Sequence, residues 1–167
     1  HIVFLGEWCK KYSRKDALKD ISHETLPFHW KDRNKFNKDS IYLRELHEIL
    51  LKRLQTVLND YHHTNYSLRY WRIVIGPWLA IFIPAVYDRW EQLKNAMKRY
   101  DYDATFLNKN IASDLIRADY LSSAICLQDD GWNHSLYSDI IEKEYAYLRG
   151  SLFTNIRSQT NKKISKS

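Results

Sequence analysis

Three short stretches of this 167-residue chain group side chains able to hold or activate a polar substrate. The longest runs from His62 to Trp78, where His62, Asn65, Ser67, Arg69 and Trp71 set imidazole, amide, hydroxyl, guanidinium and indole groups directly before an apolar run. If Ser67 caps a helix, the first free N–H groups and Arg69 in the first turn form a natural site for a phosphate or carboxylate. Structural uses stand beside that reading: Ser67 as a cap, Asn65 as a turn residue, Arg69 as half of an ion pair. Glu7, Trp8 and Cys9 follow the apolar run Ile2 to Leu5. Glu7 can take the proton of an acceptor hydroxyl, or pair with an arginine. For Cys9 the sequence gives no cause for a lowered thiol pKa, which favours packing. In the third stretch, Trp132, Asn133 and His134 can stack on and hydrogen-bond a sugar from a loop, with buttressing of that loop as the alternative for His134. His29-Trp30-Lys31-Asp32-Arg33 is similar in composition, and ion pairing between neighbours accounts for it.

Composition excludes several classes. There is no Gly-rich phosphate loop, nucleophile elbow, zinc spacing or calcium loop, and four glycines rule out a dinucleotide fingerprint, so neither a cofactor nor a metal set is expected. Lys and Arg number 26 against 20 Asp and Glu, a formal charge of +6 that favours anionic partners such as nucleotide-sugar or lipid-linked phosphates. Nucleic acid is disfavoured, because the aromatics fall on helical core spacing instead of in a strand-borne stacking motif. Two cysteines, Cys9 and Cys126, form no disulfide framework, which fits a reducing cytoplasm. Ile73 to Tyr87 is apolar for fifteen residues and contains Gly76, Pro77 and Pro84. A membrane span needs about twenty, so a buried helix and no transmembrane segment is expected.

The elements that must position these groups follow from periodicity. Ile2 to Leu5 reads as a short buried strand with Gly6 at its exit, and Lys10 to Lys38 as mostly loop. From Asp39 or Ser40, apolar residues at Leu43, Leu46, Leu50, Leu54, Val57 and Tyr61 predict an amphipathic helix. His62 to Asn65 ends it, and a second helix runs from the Ser67 cap to about Arg99, bending or restarting near Pro77 and Pro84. Tyr102 to Leu107 is the best second strand. A helix is expected from Ser113 or Asp114 to about Leu121, and another from Ser135 to about Arg149 after an Asp129 to Gly131 loop. The whole reads as a helix-dominated α/β domain over 1–150 with a frayed or linker-like polar tail over 151–167.

The His62 to Trp78 block, Phe4-Leu5-Gly6-Glu7-Trp8-Cys9 and Trp132-Asn133-His134 together resemble a family of transferases encoded in bacterial O-antigen and surface-polysaccharide gene clusters, over roughly residues 3 to 145. The resemblance implies glycosyl or related group transfer in the cytoplasm, peripheral to the inner membrane. It implies a nucleotide-sugar donor and a phosphorylated glycan or lipid-linked acceptor. It singles out His62 over His63. With Glu7 and His134, His62 forms the expected catalytic set, while Trp8, Asn65, Ser67, Arg69, Trp132 and Asn133 bind substrate. The family's greater length makes this chain the N-terminal half of a glycosyltransferase-like two-domain architecture, partnered by a C-terminal domain of the same protein. The chain's start on His1 in place of Met agrees with a fragment. A non-catalytic binding or assembly module, acting through an aromatic-rich interface, is the alternative.

Overall fold

In the computed structural model, which describes residues 1–102, 105–107, 115–145 and 153–155, the fold is a helix-dominated α/β. The chain divides into two compact units, His1–Tyr100 and Asp101–Ser167, a boundary that falls inside the range expected for one domain. In the first unit, β1 (Ile2–Phe4) pairs in parallel with β2 (His23–Thr25), Ile2 opposite His23 and Phe4 opposite Thr25. Two 3-10 turns, Glu7–Cys9 and Tyr12–Arg14, and the single-turn helix α1 (Lys15–Leu18) make the crossover. β2 lies where loop is expected. Its residues, His23, Glu24 and Thr25, carry no apolar alternation; pairing with β1 makes the strand, with Leu26 N–H donating to Phe4 O at 2.9 Å.

A third 3-10 turn, His29–Lys31, leads into α2 (Arg33–His62), 30 residues long. Asp32 caps it, accepting from Asn34 N at 2.9 Å and Lys35 N at 3.3 Å. The helix therefore starts well before Asp39, because its first turn is polar and is specified by the cap and not by an apolar stripe. Leu43 and Leu51 are buried on α2, with Leu46, Leu50, Leu54 and Leu58 packed beside them. Val57 and Tyr61, expected on that stripe, are exposed; Leu58 continues it instead.

Ser67 caps α3 (Leu68–Val74), its Oγ accepting from Tyr70 N at 3.3 Å. After Ile75 the path bends by 66° into α4 (Gly76–Arg99). Pro77, in the first turn of α4, has no N–H to extend the α3 ladder, which places the break here, while Pro84 stays inside α4. Trp71, Leu79 and Ile83 complete the core begun by Leu43 and Leu51. Among the described residues no single helix is long and apolar enough to cross a membrane; α3 and α4 reach that composition only together, across their bend.

The connector between α2 and α3 is pinned by Asn59. Its Oδ1 accepts from Thr64 Oγ1 at 3.1 Å, Tyr66 N at 3.0 Å and Trp71 Nε1 at 2.9 Å, and its Nδ2 donates to Tyr66 O at 2.9 Å. One amide thus satisfies the turn that follows a left-handed His63 (φ 52°) and the indole of the core tryptophan.

In the second unit, β3 (Thr105–Leu107) pairs in parallel with β4 (Phe153–Asn155), so part of the expected polar tail is strand. α5 (Tyr120–Cys126) is capped by Asp119, which accepts from Ser122 N at 2.8 Å. Ser113 and Asp114, the expected openers, lie outside the described residues, as does Arg149. α6 (Asp130–Glu144) is capped by Asp129, which accepts from Trp132 N at 2.7 Å. This cap starts α6 ahead of Ser135 and takes Trp132, Asn133 and His134 out of the expected loop.

Asn59→Ala should lower the stability of the protein by about 2–3 kcal/mol in denaturant titration, since it strands the Trp71 and Tyr66 donors. Asn59→Asp, which keeps the acceptor for Trp71 and Tyr66 N–H but sets a carboxylate oxygen against Tyr66 O, should recover only part of that loss. A cost for Asn59→Ala below about 0.5 kcal/mol would show that the connector holds without the amide.

Candidate functional site

Both strands of the β1–β2 pair run out at the same edge, at Leu5 and Leu26, and open α/β sheets gather ligands beyond such carboxyl ends. Gln92 of α4, fully buried, donates from Nε2 to Leu5 O and to Pro27 O, the latter at 3.3 Å, so one side chain fastens both strand exits to the helix. One turn earlier on α4, buried Asp88 accepts from His29 Nε2 at 2.9 Å and pairs through its other oxygen with Arg89. With Nε2–H donated to Asp88, His29 Nδ1 is buried and has no hydrogen-bond partner among the described residues.

Above these anchors lies an aromatic rim. Gly6 is buried because the Trp8 indole lies against it, and a Cβ built there would overlap the ring. Trp8 is still 50 % exposed. It meets Phe28 edge-on at 6.1 Å, and Phe28 meets Trp30 edge-on at 5.9 Å. Glu7 and Lys10 flank Trp8 and pair at 3.2 Å on the surface. Cys9 is exposed as a residue, but desolvation around its sulfur pushes the thiol pKa up, so a thiolate nucleophile is disfavoured. A general base must come within about 3 Å of the proton it takes, which Glu7 can do on the surface and His29 in its buried setting does not. The imidazole therefore serves as an internal clamp on the Pro27 to Trp30 segment.

The rim is tied to α2 by a second polar set. Lys35 bridges Asp39 at 2.7 Å and Glu91 at 2.9 Å, Lys94 joins Glu91 at 2.9 Å, and Trp30 Nε1 donates to Asp39 at 2.9 Å. Burial alone raises the Asp39 and Glu91 carboxyls, but hydrogen bonds outweigh it and both end below their ordinary values, Asp39 through Lys35 and Trp30, Glu91 through Lys35 and Lys94. Tyr87, desolvated and bonded to Asp39, is pushed up to about 12. Among the described residues no group of three His, Cys, Asp or Glu side chains is placed to hold a metal ion. A shallow hollow of 310 Å³ lined by Ile41, Arg44, Glu45 and Glu48 is formed by about two turns of α2, without converging polar groups from a second element.

Within the first unit the sequence-derived residues do not share one place. His62 ends α2 and stacks on Trp71 at 6.1 Å; Ser67 caps α3; Asn65 and Arg69 beside it are exposed. The strand-exit cluster sits at the other end of α2, where Lys35 and Asp39 stand. At 1.5 Å per residue, Lys35 and His62 are about 40 Å apart, so Glu7 and Trp8 do not meet His62 and Arg69. In the second unit, Trp132 is buried with Nε1 donating to Leu115 O at 3.3 Å, and Asn133 Nδ2 donates to Leu127 O at 2.9 Å and Asp129 O at 2.8 Å. Both are internal ties; His134 is exposed on α6. Sequence reasoning missed Lys35, Asp88, Glu91, Gln92 and Asn59, assigned the His29 stretch to ion pairing between neighbours, and took Asp39 only as a possible helix start. A signal did exist for three of them: Asp88, Glu91 and Gln92 recur at three- and four-residue spacing on the helix face that carries Ala85 and Ala96, where polar residues need partners.

A family model described as LIC12162 family transferase matches residues 1–167. No curated protein and no solved structure matches the chain.

The Lys35 network predicts an acid-labile fold. Asp39 and Glu91 titrate lower folded than unfolded, so their contribution is complete above the ordinary carboxyl value of 4.5 and is lost as pH falls through their depressed values. Thermal unfolding should shift down as pH drops below that point. Lys35→Met should cost about 2 kcal/mol or more near neutral pH and flatten the acid limb. An acid limb of unchanged slope in Lys35→Met would assign the effect to other carboxyls.

Proposed function

The chain belongs to the LIC12162 family of transferases, and from that premise we propose that it transfers a glycosyl or related group during synthesis of a bacterial surface polysaccharide such as O-antigen. The donor is a nucleotide sugar and the acceptor a phosphorylated glycan or lipid-linked sugar. The protein works in the cytoplasm, peripheral to the inner membrane, and a C-terminal domain of the same protein closes the cleft on the donor side. The observation that carries this reading is the half-exposed Trp8 indole, seated flat on Gly6 beyond the strand ends with Glu7 and Lys10 beside it.

An indole face is apolar and matches the C–H face of a sugar ring, while its rim leaves hydroxyls free for hydrogen bonds. Glu7 takes the proton of the acceptor hydroxyl as its oxygen bonds to the anomeric carbon; the bond from that carbon to the donor phosphate breaks, and the phosphate leaves with the electron pair. Lys10, released from Glu7 by the incoming ligand, supplies positive charge to the phosphate. His29–Asp88 and Gln92 hold the two strand exits in place so that Trp8 and Glu7 meet the substrate in fixed geometry.

Titration calorimetry of the full-length protein with a panel of nucleotide sugars tests this. Trp8→Ala should weaken binding about tenfold with the melting temperature unchanged, and Glu7→Gln should keep binding while lowering turnover about a hundredfold. Unchanged affinity in Trp8→Ala would remove the indole from the site.

A further inference from the structure

The bend between α2 and α3 exposes a group of aromatic and aliphatic side chains that the sugar site does not use. Tyr61 is 77 % exposed, Tyr66 44 %, Tyr70 41 %, Ile73 69 % and Val74 52 %. These groups are joined: Tyr61 meets His62 edge-on at 5.0 Å, His62 stacks on Trp71, Tyr70 meets Trp71 edge-on at 5.2 Å, and Tyr66 stacks on Tyr70 at 4.1 Å. On α3, Ile73 and Val74 stand one turn beyond Tyr70, on the same side of the helix.

Charge along this stretch is predominantly positive. From Leu50 to Tyr87 the sequence holds the single acid Asp60 against Lys52, Arg53, Arg69 and Arg72. Arg72 is occupied by Glu48, while Arg69, one turn before Ile73, has no partner among the described residues. Arg53 lies about two turns before Tyr61 on α2.

We propose that this elbow is a docking surface for an anionic lipid bilayer. Tyrosines beside aliphatic side chains suit the headgroup boundary, where the ring is half apolar and the hydroxyl stays wet. Ile73 and Val74 enter the acyl edge as α3 lies in the interface plane, and Arg53 and Arg69 meet lipid phosphates. A second copy of the chain fits less well, since a two-fold contact would bring the same cations face to face. Asn59 gives the face its rigidity by fixing Tyr66 and Trp71. The inference specifies the surface for the peripheral placement proposed above, and it stands apart from the sugar chemistry at the other end of α2.

Co-sedimentation with vesicles of phosphatidylglycerol and phosphatidylcholine in equal parts tests it without any substrate. The wild-type protein should bind, lose binding as salt rises, and ignore vesicles of phosphatidylcholine alone. Ile73→Glu should lower partitioning about tenfold or more, with unchanged circular dichroism and unchanged nucleotide-sugar affinity, and Arg69→Ala should lower partitioning about fivefold with unchanged circular dichroism. Absence of binding to the mixed vesicles, or equal binding by Ile73→Glu, overturns the proposal. So does a wild-type dimer that Ile73→Glu converts to monomer, which would give the face to a second copy.

Discussion

The length of α2 constrains everything built around it. Thirty residues of α-helix extend about 45 Å, further than any small-molecule site spans, so side chains at its two ends serve separate purposes. Each end is fastened by its own device. At the start, Lys35 joins α2 to Glu91 of α4, and Trp30 reaches Asp39. At the finish, Asn59 closes the connector onto Trp71 of α3. Between them the stripe from Leu43 to Leu58 packs on Leu79 and Ile83, and the helix behaves as a strut that holds two surfaces apart.

The strand-exit end concentrates the buried polarity of the first unit. Taking Asp88, Glu91, Gln92 and His29 out of water is unfavourable unless each finds a partner, and a core of leucines would fold without them. Glu91 pairs with Lys35 and Lys94, and the others find partners in the loops that leave β1 and β2: Gln92 holds Leu5 O and Pro27 O, and Asp88 holds His29. The polar set thus fixes the backbone beneath Trp8, where a sheet too short to stiffen its own loops needs help. The surface above is aromatic and carries one acid and one base within reach of each other, Glu7 and Lys10.

Helices were legible where periodicity and caps agreed. Ser67 marks the start of α3, and the leucines from Leu43 to Leu54 identify α2. What escaped was specified by tertiary partners. β2 exists because β1 lies beside it, the first turns of α2 because Asp32 caps them, and the start of α6 because Asp129 outranks Ser135 as a cap. Proximity in sequence misled most at the site. Asn65, Ser67 and Arg69 crowd together at a helix start and resemble a pocket wall, yet the amide that organises the connector is Asn59, six residues before Asn65 and inside the preceding helix. Conversely, His29 and Asp88 form a buried pair 59 positions apart, a separation that only the packed fold closes.

The assignment of substrate binding to the strand-exit end of α2 is tested most directly by the six tryptophan indole N–H resonances. These are assigned by single substitution in the full-length protein and followed by NMR as a nucleotide sugar is added. Trp8 and Trp30 lie at one end of α2, and Trp71 lies at the other. The Trp8 signal, with that of Trp30 behind Phe28, should move in a saturable manner while Trp71 stays fixed. Saturable movement of Trp71 with Trp8 and Trp30 unmoved would contradict the assignment and return the site to the connector between α2 and α3.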